Sequence, residues 1–454
     1  MDVLFRSPLG ALLARPWVDQ AGLFGIRRWY LPLSRLWAAA NAAGDDVAWF
    51  RDEVGRPPGA LWSDSLVRRI LARHAARQAT ADAARAAWDE SLFGGERRQD
   101  RLLLLDRQRR AAATRHLATR AAFYPLLFPE RPPMARWQID RPADVDRDFA
   151  EAFVRPDGLY EATIDAGAVS ISHAFARDGL REYWLRAPTP ASRLRGRSGS
   201  ELLYARVIEP ADRPAVASLV TGSGLCLEFD LWSIARDPGT RLAEMGWRVI
   251  EPVSPYHGLR AMPGRYGGEP FFAAGPTSSI DLISGQAIES ALLTAWARDR
   301  WGGKVALAGI SMTSFVAQQV ASRCHLWPPD ARPDAVLLIC HSGRIEAVTL
   351  GGALAATLGL DAELGRAGWS RAALTRLSGL IDPTEQPAVP ASHIVSVLGE
   401  TDRWVPYDDG LAVARRWRLP EANIFRYPLG HLGMPVQLTR DGAPFERLKQ
   451  VLAS

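Results

Sequence analysis

From Trp62 to about Phe123 the apolar positions recur at helical spacing. Leu66, Ile70 and Leu71 share a face, and Ser63 or Asp64 stands where a capping side chain would. The run RRQDRLLLLDRQRRAAATRHLATRAAF continues in good helix formers, which assigns its arginines to the solvated side. Residues 22–40, GLFGIRRWYLPLSRLWAAA, follow the same period and read as helix packed on the rest of the protein, with a peripheral membrane contact as the competing reading. Pro125, Pro129, Pro132 and Pro133 interrupt this pattern, because proline lacks the amide donor and restrains the residue before it from helix. The expected organisation is a helical extension over residues 1–130 and a second unit over 131–454.

Beyond the prolines the period changes. REYWLRAP and LLYARVIEP read as strands separated by the turn segment RLRGRSGS. AVASLVTG, WRVIEPV, KVALAGI, AVLLIC, HIVSVLG and NIFRYPL follow, with helical stretches between several of them. Short strands that are apolar all round and alternate with helices describe an α/β fold, a mostly parallel sheet covered on both faces. The segment at about 341–392 is longer than one crossover helix needs. It contains GGALAATLGL and SRAALTRLSGLI, read as two helices of a cap over the carboxyl edge of the sheet.

Composition narrows the class. Of 454 residues, 47% are hydrophobic and 23% charged, so the chain has the apolar content to fold around a substantial core. The net charge of +5 raises the question of a nucleic-acid partner. The excess is local: residues 1–120 hold 20 arginines against 13 acids, and the remainder 35 basic against 37 acidic residues. No nucleic-acid partner is expected. Cys226, Cys324 and Cys340 form no even set and no C-x-x-C pair, which points to a reducing, cytoplasmic setting and no structural zinc. The start, MDVLFRSPLGALLARPW, lacks a clean apolar region with a cleavage site and is read as no signal peptide.

The most informative stretch is KVALAGISMTSFVAQQVASR. A strand runs into Gly309-Ile310-Ser311-Met312-Thr313 and a helix follows at once. That context exposes a serine on a sharp turn and aims the next backbone amide into a site, although Thr313 stands where the motif usually has a second glycine. By itself G-x-S-x-T could be an ordinary strand-to-helix turn. Downstream, however, Asp402 follows the strand HIVSVLG, and His431 follows NIFRYPL within Gly430-His431-Leu432-Gly433. Serine, acid and histidine at successive strand ends, in this order, are the α/β-hydrolase arrangement. Asp408 and Asp409 are fallback acids and Ser342 a fallback nucleophile.

An attacked carbonyl needs donors for its oxyanion. The Ser223 amide, in the Thr221-Gly222-Ser223-Gly224 loop, and the Met312 amide are assigned that role, with Gly222, Gly224, Tyr256 and His257 as candidate substrate-lining residues. Leu227 occupies the third glycine position of G-x-G-x-x-G, so a dinucleotide loop fails, and Gly303-Lys304 lacks the spacing of a phosphate loop. Neither a metal nor a cofactor is expected.

The run from Val220 to Leu350, with TGSGLCLEFDLW, EPVSPYHGLRAMPG and LAGISMTSFVAQ, resembles the alpha/beta-hydrolase domain-containing protein 18 family and its bacterial relatives. Those proteins pair a glycine-rich oxyanion loop, a P-Y-x-G loop and a G-I-S-M-G turn; Thr313 departs from the last glycine. The resemblance implies a serine hydrolase fold and leaves the substrate open. The expected function is hydrolysis of a small-molecule carboxylic ester or related acyl bond by Ser311, Asp402 and His431. The alternative is a hydrolase-fold binding or scaffold protein with little or no activity.

Overall fold

The computed structural model describes residues 17–55, 62–225 and 237–454. The leader reading at the N-terminus and Cys226 fall outside them. The amphipathic stretch forms α1 (Trp17–Gly25), which passes through a π-helical turn, Ile26–Tyr30, into α2 (Leu31–Ala43). The long helical pattern divides at Gly94 into α3 (Asp64–Phe93), capped by the Ser63 hydroxyl on the Leu66 N–H, and α4 (Gln99–Leu117). A 3₁₀ run, Ala118–Leu127, carries the chain on through Pro125.

Arg109, expected on the solvated side, is buried, and Arg35 of α2 is a second interior arginine. Arg35 pairs with Glu53 at 2.9 Å, and Arg109 pairs with Asp106 at 3.2 Å while its guanidinium stacks over Trp88. Their planar, weakly hydrated head groups suit such interior pairing.

The strands are β1 (Ser170–Ile171), β2 (Phe175–Arg177), β3 (Leu180–Pro188), β4 (Leu202–Pro210), β5 (Ser218–Thr221), β6 (Arg248–Pro252), β7 (Val305–Ile310), β8 (Ala335–Ile339), β9 (Ile394–Gly399) and β10 (Ile424–Tyr427). They form one sheet in the order β1-β3-β4-β6-β5-β7-β8-β9-β10, with β2 paired to β3. β4 runs antiparallel to both its neighbours, and β5 to β10 are all parallel. The eight strands expected from the sequence are all present; β1 and β2 are additional.

Alternate residues of the parallel strands feed two separate cores, as the period of two requires. Val220, Leu307, Val336 and Leu338 pack with α5 (Thr277–Trp301) and α6 (Met312–Arg323) on one face. Leu219, Ala306, Leu337 and Val395 pack with the C-terminal helix Ala443–Ala453 on the other. This two-sided burial is why those strands read as unbroken apolar runs.

Between β8 and β9 the cap is built from five short helices rather than two: α7 (Ile345–Gly351), α8 (Ala353–Leu358), α9 (Leu360–Arg366), α10 (Arg371–Arg376) and α11 (Ser378–Ile381). Gly359 and Gly368, with φ of 74° and 94°, turn the chain at two of the breaks. Among the described residues, no helix is long and apolar enough to cross a membrane, and Cys324 and Cys340 are buried and unpaired.

Candidate active site

Ser311 sits between β7 and α6 with φ 55° and ψ −117°, a conformation that a side chain makes costly and that surrounding structure must enforce. Its N–H is held by the Ile339 carbonyl at 3.0 Å. Gly309 is required two residues earlier, since a Cβ there would lie 2.1 Å from the Thr313 carbonyl oxygen. Thr313, the departure from the usual glycine, closes the turn itself. Its Oγ1 accepts from the Ile310 N–H at 3.0 Å and donates to the Ile310 carbonyl at 3.1 Å. The space for it comes from Gly222 in the loop after β5, where a Cβ would be 2.6 Å from Thr313 Cγ2.

Asp402 lies just past β9 and is 5% exposed. Its Oδ1 accepts from the Trp404 and Val405 N–H groups at 2.9 and 3.0 Å, and its Oδ2 accepts from His431 Nδ1 at 2.7 Å. A carboxylate can only accept, so this contact puts the proton of the neutral imidazole on Nδ1 and turns the Nε2 lone pair to Ser311 Oγ, 3.0 Å away. Trp404 stacks on the imidazole, with ring centroids 5.0 Å apart and planes 10° from parallel.

Burial pulls the His431 pKa down, but the Asp402 charge and hydrogen bond, with the Asp19 charge behind them, leave it above the ordinary 6.5. At the buried His257 and His341 desolvation is the largest influence, and it pushes each down to about 4. Cys340, Asp402 and His431 place donor atoms within 4.8 Å of one another. They do not make a metal set: the acid and imidazole already bond each other, and burial together with the Asp402 charge keeps the Cys340 thiol protonated.

Ser311, Met312 and His431 open into a cavity beneath the cap. Its wall is apolar, with Phe271, Phe315, Leu364, Leu374 and Ile381 among its residues. Glu346 is the one carboxylate on that wall among the described residues, and Arg371 and Thr375 hold it at 2.8 Å each.

The structure therefore brings Ser311, Asp402, His431 and Met312 together. The Met312 N–H, first in α6, has no acceptor among the described residues. The remaining assignments need correction. Gly222, Ser223 and Gly224 border a neighbouring cavity with Gly309 and Ile310; Leu225, next along the loop, is the residue that reaches the Ser311 cavity. Tyr256 and His257 are buried in the scaffold instead of lining the cavity, and His257 Nδ1 turns back to the Pro255 carbonyl at 2.9 Å. The fallback Ser342 hydroxyl donates to Asp409, so these two satisfy each other, and Asp408 is exposed.

Two residues at the site escaped the sequence. Trp404 was in plain view two positions after Asp402 but carried no motif. Asp19 accepts from the His431 and Leu432 N–H groups at 2.6 and 2.9 Å from the far end of the chain, where no local pattern could link them.

The strand order, with β4 antiparallel between β3 and β6 ahead of the parallel strands β5 to β10, and the strand-turn-helix at Ser311 define an α/β-hydrolase fold. No protein-family model matches the chain, and no curated protein matches it in sequence. Solved structures similar to it include acetyl xylan esterase 1 from Thermoanaerobacterium sp., at 14% identity and TM-score 0.43 over 63% of this chain and 88% of that one. An acetyl xylan esterase from Paenibacillus sp. R4 is 11% identical, with TM-score 0.43 over 69% of this chain and 96% of that one. An esterase from Pyrobaculum calidifontis is 18% identical, with TM-score 0.38 over 69% and 92%.

Proposed function

We propose that the protein is a serine hydrolase that cleaves a carboxylic ester, or a related acyl bond, through an acyl-enzyme. The observation that carries this is the pair of contacts on one imidazole: Nε2 to Ser311 Oγ at 3.0 Å and Nδ1 to Asp402 at 2.7 Å. Ser311 Oγ attacks the acyl carbon as its proton passes to His431 Nε2, and Asp402 holds the imidazolium that results. The imidazolium returns the proton to the leaving alcohol as the ester C–O bond breaks. Water then attacks the acyl-serine by the same proton path, releasing the acid and restoring Ser311.

The Met312 N–H is the first oxyanion donor, and the loop that runs from Gly222 to Leu225 at the cavity wall is assigned the second. The apolar wall, with Glu346 neutralised, favours an uncharged, apolar acyl group. Kinship with the alpha/beta-hydrolase domain-containing protein 18 family belongs to the same proposal. In its support, the described TGSG residues of the first motif and the P-Y-H-G and G-I-S-M residues of the other two fall at the ends of β5, β6 and β7 at one edge of the sheet. The inactive-scaffold alternative rests on Thr313 together with the large helical N-terminal part, and the hydrogen bonds of Thr313 within the turn weigh against the first of these grounds.

A fluorophosphonate probe tests the reading. The wild type is expected to label at Ser311 and to hydrolyse p-nitrophenyl esters, and Ser311→Ala is expected to lose both. Labelling or turnover that persists in Ser311→Ala would sink the assignment.

A further inference from the structure

The loop that presents His431 has no regular structure of its own. It leaves β10, passes Leu429 and Gly430, and enters helix α12 (Gly433–Arg440) immediately after Leu432. The N–H groups at such a helix entrance have no partner within the helix. Here the partner is a carboxylate from α1: Asp19 Oδ2 accepts from His431 N at 2.6 Å and Oδ1 from Leu432 N at 2.9 Å, across 412 and 413 positions of sequence. Asp19 is 8% exposed, so the bonds are made largely away from water, and its charge lies at the positive end of α12.

The two surfaces are shaped to each other. A Cβ on Gly430 would lie 2.2 Å from Asp19 Oδ2, and one on Gly22, in the next turn of α1, would lie 2.2 Å from Leu432 Cδ1. A Cβ at either glycine would push the facing Asp19 carboxylate or Leu432 side chain out of its present place.

We propose that Asp19 is a positioning residue of the active site, fixing the backbone of His431 so that Nε2 meets Ser311 and placing a second negative charge behind the imidazole. The helical extension is then a working part of the site. This rests on the hydrolase reading above. The groups facing the imidazole are Asp402 from the β9 loop, Asp19 from α1, the Cys340 thiol at the end of β8, and Ser311. Two of these carry charge, and both stabilise the imidazolium. His431 must be neutral to accept the serine proton, so the acid limb of kcat/KM is expected above the ordinary 6.5, in keeping with its raised pKa. Loss of the Asp19 charge lowers that pKa and moves the limb to lower pH.

The test uses the full chain carrying Asp19→Asn, which keeps the volume and one acceptor but loses the charge and one of the two bonds. Gly430→Ala is the second variant, because its Cβ presses on the same carboxylate from the other side. With p-nitrophenyl esters, Asp19→Asn is expected to lower kcat about 10- to 100-fold, with KM changed less than about 2-fold and the acid limb shifted down. Gly430→Ala is expected to show the same split between kcat and KM. A purely structural role would lower the melting temperature and the active fraction but leave the limb in place. An unmoved limb in folded Asp19→Asn, or an undiminished kcat in both variants, overturns the inference. Wild-type protein that fails to label at Ser311 overturns the hydrolase reading instead, so the two failures are told apart.

Discussion

The strained backbone of Ser311 is held by neighbours that carry no charge, and one of them is a residue that should not suit the turn. Thr313 is β-branched where glycine is usual, yet its hydroxyl satisfies both backbone groups of Ile310. Gly222 gives up the space that Thr313 takes. Gly222→Ala is therefore expected to destabilise the protein by about 1–3 kcal/mol through overpacking against Thr313. Adding Thr313→Gly should recover part of that loss, and a double-mutant cycle read by denaturant titration measures the coupling. Independent, additive costs would show that the two residues do not compensate each other. Ser311, Asp402 and His431 were legible in the sequence because each falls just past a strand that the apolar pattern locates. The Gly222 to Thr313 contact was not, since it joins two loops that only the sheet brings together. Tyr256 and His257 misled for a related reason: a loop position at the right edge does not reveal whether the side chain turns to the cavity or into the scaffold.

Among the elements, legibility followed burial. β7, β8 and β9 are covered on both faces and stood out as apolar runs. β1 and β2, two and three residues long at the sheet margin, are too short to show any period. The cap had the right place but the wrong subdivision, because Gly359 read as helix interior when in fact it turns the chain, and the segment between the two expected helices forms a helix of its own, Leu360–Arg366, before the turn at Gly368. The cap supplies Leu364, Leu374, Leu377 and Ile381 to the cavity wall, so under the proposed reaction it, rather than the sheet, would set how much acyl chain can enter. Each buried methylene contributes about 0.8 kcal/mol, which predicts that kcat/KM for p-nitrophenyl esters climbs with chain length until the cavity is filled. Leu374→Trp, which adds bulk to that wall, is expected to move the optimum to shorter chains while labelling of Ser311 persists. An optimum that stays at acetate in both proteins would place the acyl group outside the cavity.

At the scale of the whole molecule, the local excess of arginine acquires a use that counting could not show. Arg110 of α4 bridges Asp106 on its own helix, at 2.7 Å, and Glu182 of β3, at 2.6 Å. Arg177 of β2 reaches the same Glu182 at 2.9 Å, and Trp88 of α3 meets Trp184 of β3 edge to face, with Arg109 over it. Glu182 is 2% exposed, so its charge is tolerated because two guanidinium groups hold it, and those groups in turn depend on it. Together with the bonds from Asp19 to the histidine loop, this makes the seam between the helices and the sheet a buried, charged one that neither side can leave cheaply. Removing one partner of such a network typically costs about 3 kcal/mol. Glu182→Gln is accordingly expected to lower the unfolding free energy read from denaturant titration by that amount, with loss of helical circular dichroism and loss of ester hydrolysis occurring in one coincident transition. If activity outlasted a separate, earlier loss of helix, the extension would be a detachable appendage, and Asp19 could not be acting on His431 through a rigid seam.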